Sequence, residues 1–224
     1  MYRPGDPLIM TTSTALNQHA LYYAHDPMCS WCWGYKPQWQ KLRDALPANI
    51  ATHYILGGLA PDTNEPMPQE MQQMLQQGWH RITQTIPGTK FNHDFWSQNQ
   101  PRRATYPACR AVLAAKAQGD AFEEPMITAI QQAYYLNAKN PSNDSVLIAL
   151  AGDIGCDVNR FEETLNSDTT FDALKQNILF AHELGAQGFP SLFFEAVGKS
   201  PVSLALSYSS PQSIIDQIDA ILAS

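Results

Sequence analysis

The chain has 224 residues, of which 44% are hydrophobic and 10% aromatic, so it can bury a substantial core and is not intrinsically disordered. Its formal net charge is −7, with only 14 lysines and arginines, which excludes the concentrated basic surface that nucleic-acid binding requires. No apolar run approaches the roughly 18–20 residues needed to span a membrane, and four cysteines are too few for a disulfide scaffold.

The beginning of the chain is polar. Residues 1–18 contain no apolar segment of the kind found in secretory signals, so we expect an N-terminal arm there and a cytoplasmic protein. That expectation takes Met1 as the native start.

The next elements are predicted to be a strand, a helix and a second strand. Residues 20–24 form a short apolar run, residues 32–46 have helical periodicity, and residues 50–56 alternate until a Gly-Gly pair. This spacing implies two parallel strands joined by a right-handed crossover.

Between residues 61 and 185 the pattern is helical, with no further strand. Asn143 and Asp157 are suitable N-caps for two of the predicted helices. The apolar residues that mark the helices are Met67, Met71, Met74 and Leu75; Val112 and Leu113; Phe122, Met126, Ile127, Ile130 and Tyr134; Val146, Leu147, Leu150 and Ile154; Phe161 and Leu165; and Phe171, Leu174, Ile178 and Ala181.

Strand signals return near the C-terminus. A hairpin formed by residues 190–196 and 202–206, with a turn at 197–199, is predicted to precede a helix that begins at Ser210-Pro211. The predicted fold class is therefore α/β, with the order β-α-β, a large all-helical insertion, then β-β-α. In this division residues 19–60 and 186–224 form one domain, and residues 61–185 form the insertion.

Cys29 and Cys32 are two residues apart at the junction between the first predicted strand and helix. Such a pair beside a β-α-β unit is typical of thiol–disulfide chemistry, in which a thiolate is the attacking species. Free N–H groups and the helix dipole favour negative charge at the start of a helix. We therefore expect Cys29 to be the nucleophile and Cys32, one turn later, to be the resolving thiol.

Structural zinc is the alternative use of such a pair. A closed zinc site needs four ligands, whereas Cys109 and Cys156 are 47 residues apart in separate helical patterns. We expect no metal, and we interpret these two cysteines as buried packing residues. Whether they form a second redox pair is not decided by the sequence.

The chain resembles the DsbA-like oxidoreductases of thioredoxin fold, and it is most similar to their FrnE-like cytosolic branch, which is related to the 2-hydroxychromene-2-carboxylate isomerases. The element order matches over nearly all of residues 19–224, and the matching motifs are Asp26-Pro27-Met28-Cys29-Ser30-Trp31-Cys32-Trp33-Gly34 and Gly188-Phe189-Pro190. The resemblance implies that Pro190 is a cis-proline packed against the redox pair and that Phe189 presents its backbone to a peptide substrate. It also implies that Phe193 and Phe194 are core residues.

The chain departs from the family pattern at two positions. Ser30-Trp31 lies between the cysteines and lacks the histidine common in DsbA-like oxidants, so we expect a less oxidising couple. Tyr23 stands six residues before the nucleophile, where many thioredoxin-fold enzymes have a buried acid.

Cys32 therefore needs another proton acceptor. Asp26 and His25 are the candidate proton relay, although Asp26 also fits a turn before Pro27 and a single histidine at a strand end is often a hydrogen-bonded structural residue.

The aromatic residues around the pair are candidates for substrate binding. We expect an exposed Trp31, together with Phe189, to bind extended peptide, and we expect Trp33 to pack inward with Trp39.

These observations predict a thiol–disulfide oxidoreductase or isomerase that acts on protein or small-molecule disulfides and needs no cofactor beyond an external thiol such as glutathione. One alternative is a glutathione-dependent isomerase or transferase of the same fold, in which the cysteines are incidental. Another is a non-catalytic chaperone or peptide-binding module that uses Trp31 and the helical insertion.

Overall fold

The structure, a computed structural model, describes residues 18–223, so the predicted N-terminal arm lies outside the described residues except for Gln18. A 3-10 turn at Asp120–Phe122 precedes the fifth helix. The strands and helices in chain order are β1 (His19–His25), α1 (Ser30–Ala45), β2 (Ile50–Leu56), α2 (Gln69–Thr85), α3 (Phe95–Gln98), α4 (Tyr106–Lys116), α5 (Glu123–Tyr135), α6 (Asp144–Asp153), α7 (Val158–Leu165), α8 (Asp168–Glu183), β3 (Ser191–Glu195), β4 (Val202–Leu204) and α9 (Gln212–Leu222).

The four strands form one mixed sheet in the order β2-β1-β3-β4. β1 and β2 are parallel, with α1 as their crossover, whereas β1 with β3 and β3 with β4 are antiparallel. In the central strand, Tyr23 is opposite Tyr54 on one side and Leu192 on the other. The thioredoxin fold implied by the family resemblance is confirmed, with helices α2 to α8 inserted between β2 and β3.

Each face of the sheet is covered. Tyr23 and Phe194 pack with α1 and α9 on one face, whereas Ala24 and Phe193 pack with the end of α8 on the other. Phe193 and Phe194 are both buried, as expected, because successive residues of a strand point to opposite faces. The helices between β2 and β3 form a third cluster, which also includes Met28 from the loop before α1.

The helix predicted around Met67 to Leu75 exists, but its buried face was wrongly assigned. α2 begins at Gln69, so Met67 precedes it, and Met74 is 59% exposed. Trp79 and Ile82 are the buried residues of this helix. The short helix α3 was not predicted, and its Phe95 packs in the same aromatic cluster as Trp79.

The expectation that Trp33 packs with Trp39 is wrong. Trp33 stacks on Tyr135 of α5, with 5.6 Å between ring centroids, whereas Trp39 stacks on Tyr23 of the sheet at 4.5 Å. Six helical positions separate the two tryptophans, which places them about 120° apart around α1. They therefore pack against different layers. Within residues 18–223 no helix is both long and apolar enough to cross a membrane.

Candidate active site

Cys29 is the N-cap residue of α1. Its backbone is extended, with φ −81° and ψ 117°, and its Sγ accepts the backbone N–H of Cys32 at 3.4 Å. The Cys29 N–H donates to the Asp26 carbonyl at 3.0 Å, which closes the turn before the helix. One of the N–H groups that a helix start leaves without a partner is therefore directed at the Cys29 sulfur.

Cys32 lies one turn further along α1 and is completely buried, and both cysteines are free thiols. Burial raises the pKa of the Cys32 thiol well above its ordinary value, and its hydrogen bond to Cys29 raises that pKa further. A hydrogen bond from the Asp26 backbone has the opposite, smaller effect. Cys32 therefore keeps its proton at neutral pH until a base accepts it.

The loop that precedes β3 lies against the Cys29 sulfur. The Phe189–Pro190 peptide bond is cis, and the Cys29 thiol donates to the Phe189 carbonyl oxygen at 3.3 Å. The Phe189 ring packs on the backbone of Gly57, just after β2. A cavity of about 580 Å³ beside this loop is lined by Phe189, Pro190 and Tyr208, among others.

Trp31 is half-buried rather than exposed. Its ring packs edge-on against Tyr208, with 5.6 Å between centroids and 68° between ring planes. Tyr208 also contacts Tyr35, so it links Trp31 to the core of the sheet domain. Trp31 thus lies beside the Cys29 loop with part of its ring available for contacts.

The carboxylate of Asp26 is completely buried and hydrogen-bonded. One oxygen accepts the Met28 N–H at 2.7 Å, which is the local turn expected before α1. The other accepts the Leu59 N–H at 2.8 Å, the Thr105 hydroxyl at 2.6 Å and the Cys109 thiol at 3.6 Å. Burial raises the pKa of Asp26, and these hydrogen bonds oppose the rise.

Asp26 therefore holds together the Cys29 loop, the segment after β2 and the start of α4. Cys109 is buried, as expected, but it also donates to the carboxylate, a contact that the sequence did not indicate. Cys156 is buried elsewhere in the helical cluster. Among residues 18–223 no three histidine, cysteine or acidic side chains are grouped closely enough to hold a metal ion.

His25 is completely buried, and neither ring nitrogen has a hydrogen-bond partner among the described residues. The expectation of a hydrogen-bonded structural histidine is therefore wrong. Its ring is parallel to that of Tyr23, with 5.1 Å between centroids. Burial, with a smaller contribution from the charge of Lys36, lowers the pKa of His25 to about 3, so the ring is neutral at physiological pH.

The comparison with known families agrees with this geometry. A family model described as thioredoxin matches residues 22–216, which is most of the chain. Among solved structures, a candidate protein disulfide isomerase from Nitrosomonas europaea is 27% identical, with a TM-score of 0.80 over 92% of this chain and 98% of that one. The cytosolic disulfide reductase DsbM from Pseudomonas aeruginosa has the same fold, at 22% identity and a TM-score of 0.74 over 91% and 98% of the two chains.

The curated relatives are named as adapter proteins, not as oxidoreductases. The ClpXP adapter protein SpxH of Bacillus subtilis is 25% identical over an alignment of 193 residues that covers 79% of this chain and 63% of that protein. SpxH of Halalkalibacterium halodurans is 25% identical over 78% and 58% of the two proteins. The chain thus spans about three fifths of the length of these relatives. Because the family model covers nearly the whole described chain and the fold is shared with disulfide oxidoreductases, the chain belongs to the thioredoxin family, with the DsbA-like form of its fold.

Proposed function

We propose that the chain is a cytoplasmic thiol–disulfide oxidoreductase or isomerase, with Cys29 as nucleophile and Cys32 as resolving thiol. One observation carries the proposal: the Cys29 sulfur lies at a helix N-terminus, within hydrogen-bonding distance of both the Cys32 N–H and the Phe189 carbonyl. The sulfur is thus beside its resolving partner and beside a carbonyl of the loop that contains Pro190. The fold shared with a cytosolic disulfide reductase supports the proposal and the location.

The reaction transfers two electrons from the cysteine pair to the substrate. The Cys29 thiolate attacks one sulfur of a substrate disulfide, forms a mixed disulfide and releases the other substrate sulfur as a thiolate. Cys32 then loses its proton and attacks the Cys29 sulfur, which forms the Cys29–Cys32 bond and releases the second substrate thiolate. Two molecules of an external thiol such as glutathione then reduce the Cys29–Cys32 bond and are themselves joined in a disulfide. In isomerisation, a second thiolate of the substrate instead attacks the mixed disulfide, which forms a different substrate disulfide and releases Cys29 as a thiolate.

Substrates of this reaction are protein or small-molecule disulfides. Trp31 and Phe189 would contact an extended peptide next to Cys29, since both are half-buried: Phe189 lines the cavity near Pro190, and Trp31 packs against Tyr208, which also lines it. Glutathione is a reasonable small thiol, because one solved DsbM structure of the same fold, with a TM-score of 0.72, contains it.

Trapping of the mixed disulfide tests the proposal. A Cys32→Ser variant, reduced and then exposed to a disulfide-containing peptide, should retain the peptide on Cys29, because the resolving thiol is absent. Mass spectrometry of the intact protein should show the added mass, and a reducing agent should remove it. The matched control is Cys156→Ser, which should turn the peptide over without accumulating the adduct. No adduct on a Cys29 that is demonstrably reduced would overturn the proposal.

A second candidate function is that of an adapter, supported by the names of the curated relatives. An adapter would bind a partner protein through its surface and would not need the thiols. A variant with both Cys29→Ser and Cys32→Ser should then retain partner binding, whereas all disulfide turnover should be lost.

A further inference from the structure

A small cavity of about 20 Å³ borders Cys32 and also Lys36. A cavity of roughly 10–15 Å³ is enough for one water molecule, provided that polar groups line it. Tyr54, Gln131 and Glu124 supply such groups, and the exposed residue Gln40 also lines the cavity. The cavity therefore gives the completely buried Cys32 a route for a proton towards the surface.

Lys36 is four residues after Cys32 on α1, and positions four apart are on the same face of a helix. Its Nζ donates to the Thr128 hydroxyl at 2.7 Å and to the Gln131 side-chain oxygen at 3.1 Å, both on α5. Neither partner carries a charge. An ammonium group has three N–H donors, so one remains for a water molecule in the cavity.

The surroundings of Lys36 favour its neutral form more than bulk water does. Burial lowers the pKa of Lys36 to about 8, and the charge of Glu124 opposes this effect. Glu124 itself forms an ion pair with Arg43 at 2.5 Å, and Lys36 has no ion pair among the described residues. The titratable groups around Lys36 are Cys32 on α1, Tyr23 and His25 on β1, Tyr54 on β2 and Glu124 on α5.

We propose that Lys36, as its neutral amine, accepts the proton of Cys32 through one water molecule in this cavity during resolution of the mixed disulfide. The proton leaves the Cys32 thiol for the water, and the water gives a proton to Nζ, which becomes an ammonium. The Cys32 thiolate attacks the Cys29 sulfur, the bond to the substrate sulfur breaks, and the substrate leaves as a thiolate. Lys36 then returns its proton to solvent.

Two neighbouring groups are less suited to this task. The Asp26 oxygens already accept four hydrogen bonds, and three of these donors come from Leu59, Thr105 and Cys109, away from α1. His25 is a poor proton acceptor, because burial lowers the pKa of its ring to about 3. The Lys36 proposal depends on the proposed redox function, so the test must separate the two.

A rapid-mixing experiment separates the attack by Cys29 from the attack by Cys32. The reduced protein is mixed with an excess of an aromatic disulfide that releases a coloured thiolate. The first phase reports attack by Cys29 and depends on reagent concentration. The second phase reports attack by Cys32, is independent of reagent concentration and is absent from Cys32→Ser. If the wild-type protein gives no first phase, the proposed function itself fails.

In Lys36→Met the second phase should slow about tenfold to a hundredfold at neutral pH, in the range of general-base effects, while the first phase stays within about twofold of wild type. The wild-type second phase should rise with pH, reach half of its maximum near pH 8 and level off above it, as Lys36 becomes neutral. In Lys36→Met this pH dependence of the second phase should disappear. Lys41→Met is the matched control, because Lys41 is an exposed lysine on the same helix, and it should leave both phases unchanged.

Lys36→Arg distinguishes proton transfer from a merely structural or electrostatic role. Arginine retains the hydrogen-bond donors and the positive charge but does not lose a proton in proteins, so it should be as slow as Lys36→Met. Restoration of the wild-type pH profile by arginine would overturn the proposal. It would also be overturned if Asp26→Asn removed the pH step while Lys36→Met kept it.

Discussion

The ring of Phe189 occupies the space that a side chain on Gly57 would need, because a Cβ at residue 57 would overlap the ring. The Gly57 N–H donates to the His25 carbonyl at 2.7 Å, so this segment cannot move away without losing a hydrogen bond. The Phe189 carbonyl accepts the Cys29 thiol. A glycine at the end of β2 thus sets the position of a carbonyl that contacts the nucleophile.

Replacement of Gly57 by alanine should displace Phe189. We expect a loss of about 1–3 kcal/mol in the free energy of unfolding, as for other overpacked sites, together with a lower kcat/KM for peptide disulfides. Gly78→Ala is the control, because a Cβ there meets no atom within 4 Å, and removing a helical glycine should stabilise by up to about 1 kcal/mol. Urea unfolding and peptide turnover check both variants. Unchanged turnover in Gly57→Ala would contradict the role given to Phe189.

Thr105→Val should destabilise the protein, although the valine side chain has nearly the same shape as that of threonine. The Thr105 hydroxyl donates to Asp26 at 2.6 Å and accepts the Ala60 N–H at 3.1 Å, and the residue is buried. Loss of both bonds should cost about 1–3 kcal/mol in the free energy of unfolding. The exposed Thr83→Val variant should stay within about 0.5 kcal/mol of wild type. Equal effects of the two substitutions would show that the Asp26 hydrogen bond is unimportant for stability.

The raised pKa of Asp26 predicts a pH dependence of stability. Between its ordinary value and its raised folded value, the folded state holds a proton that the unfolded state has released. The contribution of Asp26 to stability must therefore fall as pH rises through that interval. Urea unfolding at a series of pH values measures the free energy of unfolding of the wild type and of Asp26→Asn. The difference, wild type minus variant, should decrease from about pH 4 upward. The opposite slope would mean that the folded protein lowers the pKa of Asp26 instead of raising it.

Trp31→Ser should affect large substrates more than small ones. The ring is half-buried against Tyr208 beside the cavity near Pro190, so its loss removes apolar surface next to Cys29. We expect turnover of a protein disulfide to fall by about fivefold to tenfold, which corresponds to roughly 1 kcal/mol, and turnover of a small aromatic disulfide to change little. Leu222→Ser removes partly exposed apolar surface on α9 and should change neither rate. Equal losses for both substrates would argue against peptide binding by Trp31.

The dipeptide Ser30-Trp31 predicts the redox potential of the pair. Neither side chain carries a positive charge that would stabilise the Cys29 thiolate, so the couple should be more reducing than about −120 mV, the potential of the most oxidising members of this fold. Equilibration with glutathione buffers, followed by tryptophan fluorescence, measures this value. Ser30→His should shift it towards more oxidising potentials.

Local signals were sufficient to place the cysteine pair at the start of a helix and to predict the order of the strands with helices between β2 and β3, although the short helix α3 was missed. The contacts of Asp26 with Thr105 and Cys109 were not predictable, because they join residues 79 and 83 positions apart without any shared motif. Lys36 was missed because a lysine on a helix usually faces solvent, and only the position of α5 shows that its amine is covered. By contrast, the packing of Trp33 and Trp39 on different sides of α1 follows from helical geometry and could have been predicted.

The buried carboxylate of Asp26 has a consequence for how the molecule unfolds. Two of its donors, Thr105 and Cys109, belong to the helical insertion, and Met28 from the nucleophile loop is part of the helical cluster. A sheet domain cut free of residues 61–185 would keep this charge without half of its partners. We therefore expect the two parts to unfold together, and we expect neither to be stable as an isolated fragment.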